Sequence, residues 1–284
     1  MKNDIICIYH KDCVDGTTAA AVVLKKFPQA RVFPLAHGYT SADITEILDV
    51  TGTHTHIYIV DSVLGLKEFT VQGNPITIFD HHISVYEEIG AFTQLHTNVT
   101  YYFDNTHSGA SLTWSHLFPG EPIPELISYV RDNDLWTQLY GEATQYVTNY
   151  LSLERNNPKR ICELLDTDIE IIKKSGKEIT TYIHSEVERA ILAEPILVRI
   201  DAYEVPFFNI TNHQSACGNI LAAKLDTAVG LYTIIGNEVR ISFRSLEHHD
   251  PSALILARSL QGGGHHNSSG ARMHLNIFVN HIIH

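Results

Sequence analysis

Ile76-Thr77-Ile78-Phe79-Asp80-His81-His82-Ile83-Ser84 is a strand-like apolar run that stops abruptly on an acid and two imidazoles. Successive side chains of a strand point to opposite faces. His81 and His82 can therefore enter one site only if the strand ends and the chain turns there. Ser84 and the polar composition that follows permit that turn. A lone His-His pair is adequately explained by two hydrogen-bonded loop histidines, but the same pattern recurs elsewhere in the chain.

Working outward from it, Ile5-Ile6-Cys7-Ile8-Tyr9 is a short, partly β-branched run that suits a buried central strand. It ends in His10-Lys11-Asp12-Cys13-Val14-Asp15-Gly16, and residues 17–26 then have a helix-forming composition. A strand is expected over 31–36 and a short helix over 43–50. His56-Ile57-Tyr58-Ile59-Val60 is another β-rich run, ending at Asp61-Ser62. This alternation builds β-α-β units, whose ligands bind beyond the carboxyl ends of the strands. A helix-capping role accounts for one of Asp12 and Asp15 and leaves the other, and His10, unexplained. The pattern predicts a parallel sheet with Asp15, Asp61, Asp80 and His81 along one edge.

A helix is expected to start at Ser108-Gly109-Ala110, where free N–H groups either receive a simple cap or hold an anion. Another, over 125–130, leads to Arg131-Asp132-Asn133-Asp134-Leu135-Trp136. Residues 158–193 read as helical, with Ile179, Ile183, Val187 and Ile191 spaced by four and a break or bend at Gly176. The last ninety or so residues offer strands at 196–200, 205–210, 231–235 and 239–243 and helices at 218–225 and 251–260. The expected α/β architecture has a parallel-sheet domain over 1–155, a helical connector over 156–194, and a smaller α/β domain with a mixed sheet over 195–284. In the last, Gly262-Gly263-Gly264-His265-His266-Asn267-Ser268-Ser269-Gly270-Ala271-Arg272 combines backbone freedom with imidazole and guanidinium donors. Such a stretch suits a concave anion site, with Arg244 and Ser245 at the end of the preceding strand facing the same ligand.

The 284 residues are 44% hydrophobic and 18% charged, as in ordinary globular proteins. Four cysteines, Cys7, Cys13, Cys162 and Cys217, include no C-x-x-C pair. That argues against a zinc ribbon or disulfide framework and fits a reducing compartment. The chain shows no signal-peptide plan and no apolar run of membrane-spanning length, so a cytoplasmic protein without a membrane partner is expected. A net charge of −12 disfavours a broad grip on long duplex nucleic acid, although divalent cations can invert the charge of a local site. Oxygen and imidazole ligands suit Mn²⁺, Mg²⁺, Fe²⁺ or Co²⁺. Several carboxylates at one sheet edge can hold two ions about 3.5–4 Å apart.

Together, HKDCVDG at 10–16, the acid of IVDS, FDHHIS at 79–84, VRDNDLW at 130–136 and GGGHHNSSG at 262–270 resemble the DHH phosphoesterase superfamily with its DHH-associated C-terminal domain. The resemblance covers nearly the whole chain, in order, and is nearest to the oligoribonuclease and cyclic-nucleotide phosphodiesterase branch. It implies a manganese-dependent hydrolase with its active site in the cleft between the two domains. By that resemblance Asp15 is a metal ligand, Asp61 a bridging ligand, and His81 and Asp132 ligands of one ion. Asp80 orients the histidines, and His82 meets the phosphate or assists the leaving group. Gly263, Gly264 and His265 hold the substrate's terminal phosphate or base, with Arg244 as a helper; from the residues themselves, His266 and Arg272 offer further donors to the same phosphate. The family pattern has an acid where this chain has Cys13. Either Cys13 ligates as thiolate, or His10 and Asp12 fill the position, or that metal site is weakened; His10 is the preferred ligand. Asp134 is an alternative to Asp132.

The expected activity is hydrolysis of short oligoribonucleotides or cyclic nucleotides to mononucleotides, in a chain that can be a homodimer. The alternatives are a phosphomonoesterase or pyrophosphatase on the same metal core, or a nucleotide-binding protein with a decayed metal site.

Overall fold

The computed structural model describes residues 4–283. Its first part runs β1 (Asp4–His10), α1 (Val14–Lys26), β2 (Arg31–Leu35), α2 (Ser41–Leu48), β3 (Thr55–Val60), α3 (Leu66–Thr70), β4 (Ile76–Asp80), α4 (Tyr86–Leu95) and β5 (Val99–Phe103). Five helices follow: α5 (Gly109–Leu117), α6 (Glu125–Asp134), α7 (Glu142–Leu151), α8 (Pro158–Leu164) and α9 (Ile169–Ala190). The strands form one parallel sheet in the order β2-β1-β3-β4-β5.

The unbroken apolar runs follow from helices on both faces of this sheet. Ile6, Ile8, Ile57, Ile59, Ile76 and Ile78 enter one core with Ile44, Leu66 and Ile89 of α2, α3 and α4. Cys7, Tyr9, Tyr58, Val60 and Phe79 enter the other, against Ala19, Ala20 and Val23 of α1 and Leu112 of α5. Each such aliphatic side chain contributes roughly 1.5–3 kcal/mol on burial. The short side chains of α1 let the helix sit close to the sheet and bring its first turn to the carboxyl ends of the strands. The sequence reading does not anticipate the edge strand β5. Its residues alternate between more and less exposed positions, without the continuous apolar run that marks the inner strands.

The chain divides into two compact units, Met1–Thr180 and Thr181–His284, so the division falls inside α9. The region expected as a connector is shared between them. Ile161, Leu164, Ile169 and Ile172 belong to the core of the first unit, whereas Ile183, Val187 and Ile191 pack in the second. Helix α9 continues through Gly176 without a break. A Cβ there would stand 1.9 Å from the Tyr146 carbonyl oxygen, so this glycine permits close packing against α7.

The second unit contains β6 (Ile196–Ile200), β7 (Tyr203–Asn209), α10 (Gln214–Leu225), β8 (Val229–Ile235), β9 (Glu238–Arg244), α11 (Ala253–Ser259), β10 (Gly263–His265), β11 (Ser268–His274) and α12 (Leu275–Val279). Its sheet is mixed, in the order β10-β11-β9-β8-β7-β6, with β7 and β8 parallel. Among the described residues no helix is long and apolar enough to cross a membrane.

Candidate metal centre

Strand β4 ends at Asp80, and His82 leads into a short 3-10 turn over Ile83–Val85. The chain therefore turns where two adjacent imidazoles require it. His81 Nε2 lies 3.2 Å from Asp61 Oδ1, 3.4 Å from Asp134 Oδ2 and 3.8 Å from Asp15 Oδ2. One ring nitrogen donates at most one hydrogen bond, so it cannot satisfy three carboxylates. Asp61 turns its other oxygen, Oδ2, toward His10, whose Nδ1 is 3.7 Å away. Ligand atoms of His10, Cys13 and Asp61 lie within 4.8 Å of one another, as do those of Asp15, His81 and Asp134. Asp61 thus presents a different oxygen to each group, the geometry of a bridging carboxylate.

The residues fit divalent cations. Asp61 Oδ2, Asp134 Oδ2, Asp80 Oδ2 and Ser62 Oγ are buried without hydrogen-bond partners, and buried polar atoms are seldom left so. Burial, followed by the charges of Asp61 and Asp134, pushes the Asp15 carboxyl well above its usual range. Asp134 is pushed up by burial and by Asp61. Burial also opposes ionisation of Asp61, but the imidazoles of His10 and His81 outweigh it and hold that carboxyl below its usual range. His81 is raised to about 9: burial works against protonation, and Asp61, Asp15 and Asp134 overcome it. A cation among these groups would offset the repulsion between their carboxylates.

Two helix starts and two glycines build this arrangement. Asp61 adopts a left-handed backbone, φ 56°, at the end of β3, a conformation that costs a non-glycine residue roughly 1–2 kcal/mol. The carboxylate of Asp15 accepts hydrogen bonds from Gly109 N at 2.6 Å and Ala110 N at 3.0 Å. The helix start anticipated at Ser108 is capped by its own Ser108 and Ser111 side chains; the side chain it also receives is that of Asp15. A Cβ on Gly109 would stand 2.6 Å from Asp61 Cβ, and one on Gly16 would stand 2.7 Å from the His10 carbonyl oxygen. Cys13 caps α1, its Sγ accepting from Gly16 N at 3.5 Å. Burial, then Asp61 and Asp15, raise its thiol pKa.

Other expected residues are placed differently. Asp132 and Asp134 are separated by the helical twist of α6. Asp132 is buried, and its carboxylate accepts from Thr137 Oγ1 at 2.5 Å, Leu139 N at 2.7 Å, Tyr140 N at 3.3 Å and Thr144 Oγ1. Of these two acids, the structure brings Asp134 to His81. Asp12 exchanges hydrogen bonds with Asn156, accepting from its Nδ2 at 2.6 Å, and contributes to neither ligand group among the described residues. Asp80 is fully buried and accepts from His82 Nδ1 at 2.7 Å. This bond, together with the Asp80 charge, outweighs the effect of burial and raises the His82 pKa. With Nδ1 so engaged, His82 Nε2 is the free nitrogen. The sequence reading missed His37, whose ring meets that of His10 edge-on at 5.3 Å. Both line a cavity of about 140 Å³ with Asp61 and His82. Its position just beyond β2, another imidazole at a strand end, was the available signal.

In the second unit the glycine-rich stretch is a hairpin. Gly263–His265 pairs with Ser268–Gly270, and Gly264 has φ +142°, with Ser269 too close to admit a side chain. Register places His265, Ser268 and Arg244 in one row across three strands. Arg244 donates to Ser215 Oγ at 2.6 Å, Phe243 O at 2.8 Å and Ser242 Oγ at 3.0 Å, all neutral acceptors. His266 is exposed beside the turn. Arg272 pairs with Arg240, four residues and roughly 13 Å along the strand from that row.

No family model matches the chain. It is 24% identical over 222 residues to uncharacterized protein R106 of Acanthamoeba polyphaga mimivirus, a match covering 72% of this chain and 49% of that protein. The chain spans about half the length of this curated relative. Among solved structures, RecJ from Thermus thermophilus in complex with Mn²⁺ superposes with a TM-score of 0.51 and 14% identity, covering 98% of this chain and 51% of RecJ. The pGpG-specific phosphodiesterase PggH of Vibrio cholerae gives a TM-score of 0.51 and 11% identity, covering 96% and 94%. With its parallel sheet followed by a mixed sheet, the chain shares the fold of these two structures.

Proposed function

We propose that this protein is a manganese-dependent phosphodiesterase that hydrolyses short oligoribonucleotides or cyclic nucleotides to mononucleotides. The observation that carries the reading is the single imidazole nitrogen of His81 surrounded by oxygens of Asp15, Asp61 and Asp134 within 3.8 Å. Four potential ligands around one point, with Asp61 also reaching His10 and Cys13, form the kind of centre that two-metal phosphoryl chemistry uses. His81, Asp15 and Asp134 would hold one ion, His10 and Cys13 a second, and Asp61 both. Bound there, the ions would supply an acidified water and offset the charge that builds on phosphorus.

The chain's own residues do the rest. Asp80 fixes the His82 ring through Nδ1 and favours its protonated form, so Nε2 can donate a proton to a phosphate or leaving-group oxygen. The Gly109 and Ala110 N–H groups orient Asp15. In the second unit, Arg244, whose hydrogen bonds run to neutral acceptors, and His265 offer donors suited to a phosphate, with Gly263, Gly264 and His266 beside them. A hydrolysis panel of di- to pentanucleotides, cyclic mononucleotides, pyrophosphate and nucleoside 3′,5′-bisphosphate, run with and without Mn²⁺, tests this. Mononucleotide release that requires Mn²⁺ and vanishes in Asp61→Ala is expected; turnover unchanged in that variant overturns the metal assignment.

A further inference from the structure

Trp136 is 79% exposed, two residues after Asp134, and lies in the left-handed region at φ 54°. A large side chain held both in water and in an unfavourable backbone conformation is a cost that the surrounding structure sustains. Gln138 is also left-handed, at φ 53°. The loop is held in this form by Asp132, which accepts hydrogen bonds from Thr137, Leu139 and Tyr140. Trp136 lines a cavity of about 510 Å³ together with Asp132, Glu142 and the amide-bearing Asn133, Gln138 and Gln145. These offer both donors and acceptors, the complement of a nucleobase edge. Chain geometry keeps the Trp136 Cα within about 7 Å of the Asp134 Cα, and Asp134 faces His81.

We propose that Trp136 is a stacking platform for a nucleobase of the substrate, with Asn133, Gln138 and Gln145 at the base edge and Asp132 as the positioning residue that holds the loop. This rests on the phosphodiesterase reading and deepens it: binding depends on a base, so the substrate class is nucleotide esters rather than inorganic polyphosphates. Stacking of a base on an aromatic side chain is sequence-tolerant, in keeping with short oligonucleotides of mixed sequence.

The test is titration of the Mn²⁺-loaded protein with AMP and with ribose 5-phosphate, read by tryptophan fluorescence and by calorimetry. The other tryptophan, Trp114, is buried, so quenching by a stacked base reports on Trp136. AMP should quench and ribose 5-phosphate should not. Trp136→Ala should weaken AMP roughly five- to hundredfold and collapse the preference over ribose 5-phosphate, while Trp136→Phe retains most of it. In a dinucleotide assay Trp136→Ala should raise KM by a similar factor and lower kcat less. Equal AMP binding in Trp136→Ala and wild type, or equal quenching by both ligands, overturns the proposal. Dinucleotide turnover with unaltered KM in Trp136→Ala refutes stacking and leaves the phosphodiesterase reading standing. AMP-specific quenching without turnover of any diester upholds stacking and removes that reading.

Discussion

Asp132 and Asp134 stand two residues apart at the end of α6 and do opposite things with their carboxylates. Asp132 is saturated by Thr137, Leu139, Tyr140 and Thr144, whereas Asp134 Oδ2 is buried without a hydrogen bond, 3.4 Å from His81 Nε2. One acid is satisfied by the protein, and the other keeps an oxygen with which it could hold a cation. Asp132→Ala should therefore cost on the order of 2–4 kcal/mol of stability, because it strands several buried donors. Asp134→Asn should leave stability unchanged or higher without metal and weaken Mn²⁺ binding at least about tenfold. Chemical denaturation and calorimetry on both variants check this pair.

The contribution of the candidate metal centre to metal-free stability should fall as pH rises. The folded pKa values of Asp15 and Asp134 are raised above their unfolded values, and His81 is raised to about 9. Each contributes stability that is full below its unfolded pKa and is lost as pH rises through the folded one. Asp61, held low, works the other way, its contribution fading only as pH falls below the ordinary carboxylate range. Three groups against one predict that saturating Mn²⁺ raises Tm more at about pH 8 than at about pH 5, by linkage between ion and proton binding. Differential scanning calorimetry with and without Mn²⁺ reads this directly, and an equal shift at both pH values refutes it.

Gly109→Ala places a methyl group 2.6 Å from Asp61 Cβ and 3.0 Å from Asp15 Oδ2. Both neighbours are buried, and the Asp15 carboxylate is held by backbone N–H groups, with little room to yield. Mn²⁺ affinity should fall at least about tenfold and stability by roughly 1–3 kcal/mol. Calorimetric Mn²⁺ titration and denaturant melts measure the two effects.

Asp80→Asn removes the charge that holds and protonates His82, but it alters no residue of the two ligand groups around Asp61. The expected result is a fall in kcat of roughly ten- to hundredfold, with Mn²⁺ affinity changed far less. A joint loss of both would place Asp80 among the ligands instead.

Legibility in the sequence followed the range of the interactions. The strand runs ending at His10, Val60 and Asp80, and with them the parallel sheet, are visible because a strand buried on both faces must be apolar throughout. Polar residues then become possible only where it emerges, which marks Asp61, His81 and His82. The pairing of Asp80 with His82 spans two residues and was equally accessible. The choice of Asp134 over Asp132 depended on which side of α6 faces His81 and on a loop that closes over Asp132. The hold of Gly109 on Asp15 spans 94 residues, and the hairpin that sets His265 in line with Arg244 depends on β10, β11 and β9 pairing in one register. Local composition thus determined which side chains emerge at the ends of the strands. Packing between distant segments decided which of them share one charge, because burial makes each carboxylate's energy depend on neighbours that the linear order does not specify.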